Sequence, residues 1–425
     1  MKRVSLLVLF CLAGSLLCEV CRGEDWPQWR GPKRDNISAS TGINTDWEAK
    51  PPQLLWQMEG LGDGYSSVSI VGNRLYTVGN RDNAQCVMAV DLDKREVVWS
   101  TPVTNGEPDH GYKGSRCTPA IDGDRLYVVS SDGAISCLQT DNGSVVWSKN
   151  FDKEWQGRMH SGWGFSESPL VDGDHVLCTP GGDNAMIVCL NKKTGETVWT
   201  TAMPDPGGNG SAGAGYSSIM ISKAGGVKQY VTLVGRGLIG VAAQDGKLLW
   251  TYNRVANGTA NIPTPIVAGD YIFGSSGYGT GSCLIKITND NGNFQANEVY
   301  FKSGDNLQNH HGGMILIGKH IYLGNGHGNG FPTCIDALTG EKTWGDKFRG
   351  PGGGSAATTA VAGHLIFRYE DGTVALIEAN PAKYILKGKF MPVVKERESW
   401  AHPVVVDKKL YLREQNHLMV YDLAK

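Results

Sequence analysis

The sequence predicts an all-β fold: an eight-bladed β-propeller of four-stranded antiparallel blades, closed by an N-terminal strand that completes the last blade. Three observations predict it. First, "SRCTPAIDGDRLYVVSSDGAISCLQTDNGSVVW", ending at Trp147, and "SESPLVDGDHVLCTPGGDNAMIVCLNKKTGETVW", ending at Trp199, repeat one order of features. Each has a small polar start, an apolar strand, a Gly turn, a β-branched or aromatic strand, a Gly-rich turn, a third strand, and a last strand ending in Trp. That is a four-stranded meander. Second, the terminal aromatic recurs at Trp56, Trp99, Trp147, Trp199, Trp250, Tyr300, Trp344 and Phe390, a period of about 48 residues, close to that of propeller blades. Third, the ends are complementary. The chain stops on "LMVYDLAK", a third strand without a fourth, whereas "LLWQM", Leu54 to Met58, is a fourth strand without a blade. Joining them leaves no open sheet edge.

Taken in order, residues 1–23 read as a secretory signal. Lys2 and Arg3 are its charged end, Val4 to Cys18 its apolar stretch, and Cys21 and Gly23 small residues placed for cleavage before Glu24. Leu17 precedes Cys18, a poor fit to lipid attachment. Residues 24–53 form an extended segment, and residues 54–425 the propeller. The apolar run from Val4 to Cys18 is short for a membrane helix, and no other stretch reaches ~18 apolar residues. Glycine, 57 of 425 residues, is about twice its usual ~7% with no Gly-X-Y period, as turn-rich β structure requires. Charge is balanced, 40 basic against 42 acidic residues with no basic block, which argues against a nucleic-acid partner.

In a propeller the first strand of each blade is innermost. Loops into it, and second-to-third turns, share one face, here called the top. His175, His320 and His364 then fall on the bottom, and His110, His160, His310, His311, His327, His402 and His417 on the top. Aligning the inner strands gives a ring of Tyr65, Arg116, Ser166, Tyr216, Ile262, His311, Ala356 and Trp400. The next inward ring is Ser67, Thr118, Ser168, Ser218, Thr264, Gly313, Thr358 and His402, small and polar as a narrow throat requires. Convergent polar and aromatic groups at a channel mouth are the default ligand site. The candidate pocket residues are Tyr65, Arg116, Glu167, Tyr216, Arg236, His310, His311, Trp400 and His402. Arg116, Arg236 and Arg349 suit an anionic or hydroxyl-rich ligand.

The pattern "CxDxxTGxxxW" resembles the PQQ-like β-propeller repeat, found in quinoprotein dehydrogenases and in BamB, the propeller component of the outer-membrane barrel-assembly machinery. "DWPQWRGPKRDNISASTGI", "NHHGG", "FRYEDG" and "WAHPV" are similar to a group of exported PQQ-like propellers. The resemblance covers Asp25 to Lys425. It implies the fold; it does not choose an activity, because one fold hosts many functions. A quinoprotein would need cations for the PQQ carboxylates, an aromatic platform, oxygen ligands for Ca²⁺ and a base. The candidates are Arg116, Trp400 or Trp163, and Glu167 with Asn261, with no evident base and no adjacent cysteine pair.

A metal enzyme is a further class. His310 and His311 are neighbours on a strand, so their side chains should point to opposite faces. A metal site would need His311 with His402, His160 or Glu167. No HExxH or Gly-x-Ser-x-Gly motif is present. Cys86, Cys137, Cys189, Cys283 and Cys334 read as one third-strand position in five blades. Cys178 counts back to lie opposite Cys189, which leaves a disulfide or two free thiols open. The expectation is an exported, monomeric, non-catalytic binding or scaffold protein of the cell envelope, its partner an envelope protein or a small polar or anionic ligand. A PQQ- and calcium-dependent alcohol or sugar dehydrogenase is the alternative.

Overall fold

A computed structural model describes residues 25–345 and 348–425; the expected signal lies outside the described residues. Eight sheets follow one another along the chain. The blades span residues 69–102, 120–150, 170–201, 220–252, 266–303, 315–336, 356–390 and 404–422. Gln53–Met58 adds the outer strand of the last blade, pairing antiparallel with Asp422 to Leu418. Two blades depart from four strands. In blade 6, among the described residues, the outer strand is a single bridge, Ile335 to Lys342. Blade 7 gains an innermost fifth strand, Ile37–Ser38, parallel to Ala360 and Val361. Among the described residues, no helix is long and apolar enough to cross a membrane.

The middle strands of each blade are buried on both faces. Leu126 to Val129 and Ile135 to Leu138, for example, carry no exposed residue, because apolar side chains on each side pack against a neighbouring blade. The repeated aromatic then locks blade to blade. Trp99 Nε1 donates to Thr140 O of the next blade at 3.1 Å, and Trp147 Nε1 to Lys192 O at 3.1 Å. Tyr300 OH and Trp344 Nε1 donate likewise to Ala337 O and Asn380 O. The turn that receives the ring bends through a left-handed residue. A Cβ on Gly143, Gly195 or Gly246, each with φ +73°, would lie 2.3–2.7 Å from the preceding blade's indole, so glycine is needed for both space and conformation. In blade 1 Arg95 takes that place, with φ 60°. Its guanidinium lies 5.6 Å above the Trp56 ring.

At the throat, the small polar ring is a chain of hydrogen bonds. Thr118 N donates to Ser168 Oγ, Ser168 N to Ser218 Oγ, and Ser218 N to Thr264 Oγ1, at 2.9, 2.9 and 3.2 Å. Below it the segment after Asp25 crosses the channel. Trp26 pairs with Ile70 of blade 1, Arg30 donates to Met314 O of blade 6 (2.5 Å), and Arg34 to Ser168 O (2.9 Å) and Pro169 O (3.1 Å) of blade 3. Asn36 binds Thr358 O and Thr359 Oγ1 of blade 7. This strap converts an open channel into a cup.

The cysteine reading needs correction. Cys137 and Cys189 do face Trp147 and Trp199 across their strands. In blade 1, however, Ala89 faces Trp99 and Cys86 pairs with Pro102, and in blade 5 Cys283 pairs with Phe301 rather than Tyr300. No disulfide joins Cys178 to Cys189. Leu177 stands opposite Cys189 and Val188 opposite Cys178, so a one-residue offset sends the two thiols to opposite faces of the sheet. All seven described cysteines are buried and free. The chain from Asp25, denatured without reductant, is expected to take up seven alkyl groups; two fewer would restore the bridge. Arg34→Ala leaves two buried carbonyls without their donor, an expected loss of about 1–3 kcal/mol, read as a lower urea midpoint at unchanged slope.

Candidate functional site

A cavity of about 360 Å³ occupies the top mouth of the channel. Seven of the eight ring positions line it: Tyr65, Arg116, Ser166, Tyr216, Ile262, His311 and Trp400. The throat ring contributes Ser168, Ser218, Thr264, Gly313 and His402 below them. Top loops add Tyr112, Trp163, Tyr278, His310, His327 and Glu370, and the strap closes the floor with Trp29 and Arg30. The wall is thus mainly aromatic, with few charges.

Trp400 is the hub of the wall. Its ring centroid lies 4.7 Å from Tyr65, 4.7 Å from Tyr112 and 4.6 Å from His311. Arg116 sits across Tyr65, with its guanidinium carbon 5.6 Å from that ring. It donates to Trp163 O (2.9 Å), Gly111 O (3.1 Å) and Tyr112 O (2.9 Å). These carbonyls hold the guanidinium in place but carry no net charge. Among the described residues no carboxylate pairs with it, and burial lowers its pKa.

His310 and His311 do not diverge as expected of strand neighbours. Their rings lie 3.8 Å apart and 30° from parallel. The reason is local: the inner strand begins only at Ile315. Gly312 N bonds to Asn309 Oδ1 in a tight turn, and Gly312 and Gly313 take φ of +88° and +77°. His310 Nδ1 meets Ser355 Oγ at 2.8 Å and Nε2 meets Tyr278 OH at 3.2 Å. His327 packs 4.1 Å from His310. Burial, with neighbouring His327, pushes His310 down to about 3. Burial, then Arg30, does the same to His402, and His311 falls well below its ordinary value. At neutral pH these three imidazoles are uncharged, so the arginines supply the positive charge.

Two candidate residues lie elsewhere. Glu167 falls between Ser166 and Ser168, which face the axis, and strand alternation turns it into the blade. Its carboxylate accepts from Thr179 N, one oxygen is unpartnered, and burial pushes its pKa up to about 7. Arg236 turns outward, bonding Gly207 O at 2.8 Å beside Asp205 at 3.5 Å. Arg349 is exposed. His160 Nε2 accepts from Asn261 N, outside the cavity wall. Sequence reasoning missed Trp29, Arg30, Tyr112, Tyr278 and Glu370 as wall residues. The signal available was position in the long or Gly-rich top loops and in the "DWPQWRGP" segment.

The calcium half of a PQQ site does not fit this wall. Glu167 faces away, and Asn261 is engaged with Val234 O and Gly235 O inside the blade. Among the described residues only Glu370 brings a carboxylate to the cavity. Among the described residues no group of three or more His, Cys, Asp or Glu is arranged to hold a metal ion.

The buried imidazoles predict a pH dependence. A group whose folded pKa lies below its ordinary 6.5 is protonated first in the unfolded chain. Between about pH 6.5 and 3 the unfolded state binds more protons, and stability falls as pH falls. Glu167, raised from 4.5 to about 7, acts in the opposite sense. His310→Gln isolates one imidazole. Its expected outcome is a shallower loss of stability from pH 6.5 to 4, by about one proton's worth of slope, measured from urea midpoints.

A family profile described as "Outer membrane protein assembly factor BamB" matches residues 83–345. BamB of Alteromonas naphthalenivorans is 27% identical over 115 residues, 25% of this chain and 27% of that protein. BamB of Salmonella typhimurium is 31% identical over 104 residues, 24% of this chain and 25% of that protein. The alignments thus span about a quarter of the length of these relatives. Among solved structures, BamB from Moraxella catarrhalis superposes with a TM-score of 0.61 at 13% identity, covering 87% of this chain and 99% of that one. The quinohemoprotein alcohol dehydrogenase from Comamonas testosteroni gives 0.66 at 14% identity, covering 96% and 82%. These likenesses show a shared fold. On the profile match, which spans more than half of its length, this PQQ-like β-propeller belongs to the BamB family.

Proposed function

We propose that this chain is an exported, non-catalytic binding protein of the cell envelope that seats a ring-bearing anionic ligand in the axial cup. The observation that carries the reading is Arg116: a half-buried guanidinium on an aromatic wall, held by three carbonyls and paired with no carboxylate among the described residues. Such a group is poised to pair with an incoming oxyanion. Backbone conformation supports it. Arg30, Tyr112 and Tyr278 all take left-handed φ, 63°, 55° and 58°, and all line the cavity. Strained non-glycine residues persist where the surroundings over-determine them, and they cluster at functional sites.

The family's description as an assembly factor of the outer membrane supports an envelope setting, with an envelope protein docking over the top face as the other form of binding. A quinoprotein dehydrogenase is the second reading. The aromatic mouth and the dehydrogenase-like fold favour it, and the misdirected Glu167 and Asn261 weigh against it.

Titration with benzoate and glucuronate, against benzyl alcohol and glucose as neutral counterparts, tests the cup. Trp29, Trp163 and Trp400 provide the fluorescence readout. The anions are expected to bind in preference, and Arg116→Gln to weaken them about 10- to 100-fold, the worth of one charged hydrogen bond. If no probe changes fluorescence or melting temperature, the cup is not a ligand site and the top face is left to a protein partner.

A further inference from the structure

The cup does not end at its rim. Tyr65, Tyr112 and Glu370 belong both to its wall and to a second depression on the top face, where Lys113, Lys395, Arg397, Glu396 and Glu398 gather. The two hollows are therefore adjoining chambers with different linings. The inner one is aromatic, with net positive charge from Arg30 and Arg116 against Glu370. The outer one carries charged groups of both signs.

We infer that the site takes a short acidic oligosaccharide, its terminal ring seated in the cup with an oxyanion on Arg116 and its next ring running out over Tyr112 into the charged vestibule. The inference rests on the cup being a ligand site and names the class of ligand. Three features point to a saccharide. The aromatic faces around Trp400 suit the C–H face of a pyranose. A lining of both charge signs suits hydroxyls, which donate to carboxylates and accept from ammonium or guanidinium groups. Tyr112 stands at the junction of the two chambers, 49% exposed, its ring centroid 4.7 Å from Trp400 and tilted 60° to it, and tied by its carbonyl to Arg116. A large exposed ring with φ 55° is an unusual surface feature, and a ligand crossing from cup to vestibule must pass over it.

The inner wall also holds N–H groups without a partner in the chain. Trp29 Nε1, Trp400 Nε1 and Arg30 Nε are buried and unpaired.

The test is calorimetric titration of the chain from Asp25 with galacturonic acid and its dimer and tetramer, beside neutral cello-oligosaccharides of the same lengths. The dimer is expected to bind about tenfold more tightly than the monomer, and the neutral series about tenfold more weakly than the acidic one. Lys113→Ala should weaken the dimer more than the monomer, and Tyr112→Ala should weaken both. A dimer no tighter than the monomer removes the second subsite and leaves the cup reading intact. Equal binding of neutral and acidic series removes the oxyanion from recognition. If benzoate binds and no saccharide does, the saccharide assignment falls while the cup stands. If no probe of either kind binds, both fall.

Discussion

The insertion of blade-end aromatics such as Trp99, Trp147, Trp199 and Tyr300 into the turn of the next blade is the contact on which the rest of this propeller depends. A single four-stranded blade cannot bury both faces of its middle strands; eight blades in a ring can, provided neighbours are held face to face. The indoles of Trp99 and Trp147 supply that hold, each donating to a carbonyl beyond the facing strand while its ring covers a left-handed glycine. Arg95 shows the rule by its exception. Where the glycine is missing, a positive-φ arginine closes over Trp56 instead, and that blade is also the one beside the ring's closure.

The second constraint comes from the chain's own N-terminal strap. A ring of eight blades leaves an axial channel, and a channel concentrates nothing. Arg30, Arg34 and Asn36 cross it and bond to inner strands of blades 6, 3 and 7, leaving one open end. The hydroxyl chain from Ser168 through Ser218 to Thr264 sets the throat just above. With the floor in place, burial keeps the imidazoles neutral and leaves Arg116 as the charge that a ligand meets. The same burial makes the cup sensitive to acid, because protonating His310 or His402 inside it is costly.

Much of this site was legible in the amino-acid order. Counting inner strands in register named seven of the ring residues that line the cavity, since the repeat brings equivalent positions to equivalent places. The errors have particular causes. Glu167 was one residue off the axial face. Arg236 has a long side chain, and a neighbouring loop with Asp205 captured it. His310 and His311 lie ahead of the inner strand, which Gly312 and Gly313 hold back to Ile315, so strand alternation does not apply to them. Cys178 and Cys189 were paired by counting through a turn whose true register is one residue different.

The sequence by itself determined eight blades, their closure by the segment from Leu54 to Met58, and the small polar throat, because each follows from local periodicity repeated along the chain. Only the tertiary structure decided that the channel is a cup, that Trp29 and Arg30 are its floor, and that three histidines share it uncharged. Those outcomes depend on partners far away in sequence, such as Arg30 on Met314 and Asn36 on Thr358. Periodicity says which face a residue points to, but not which distant group is waiting there.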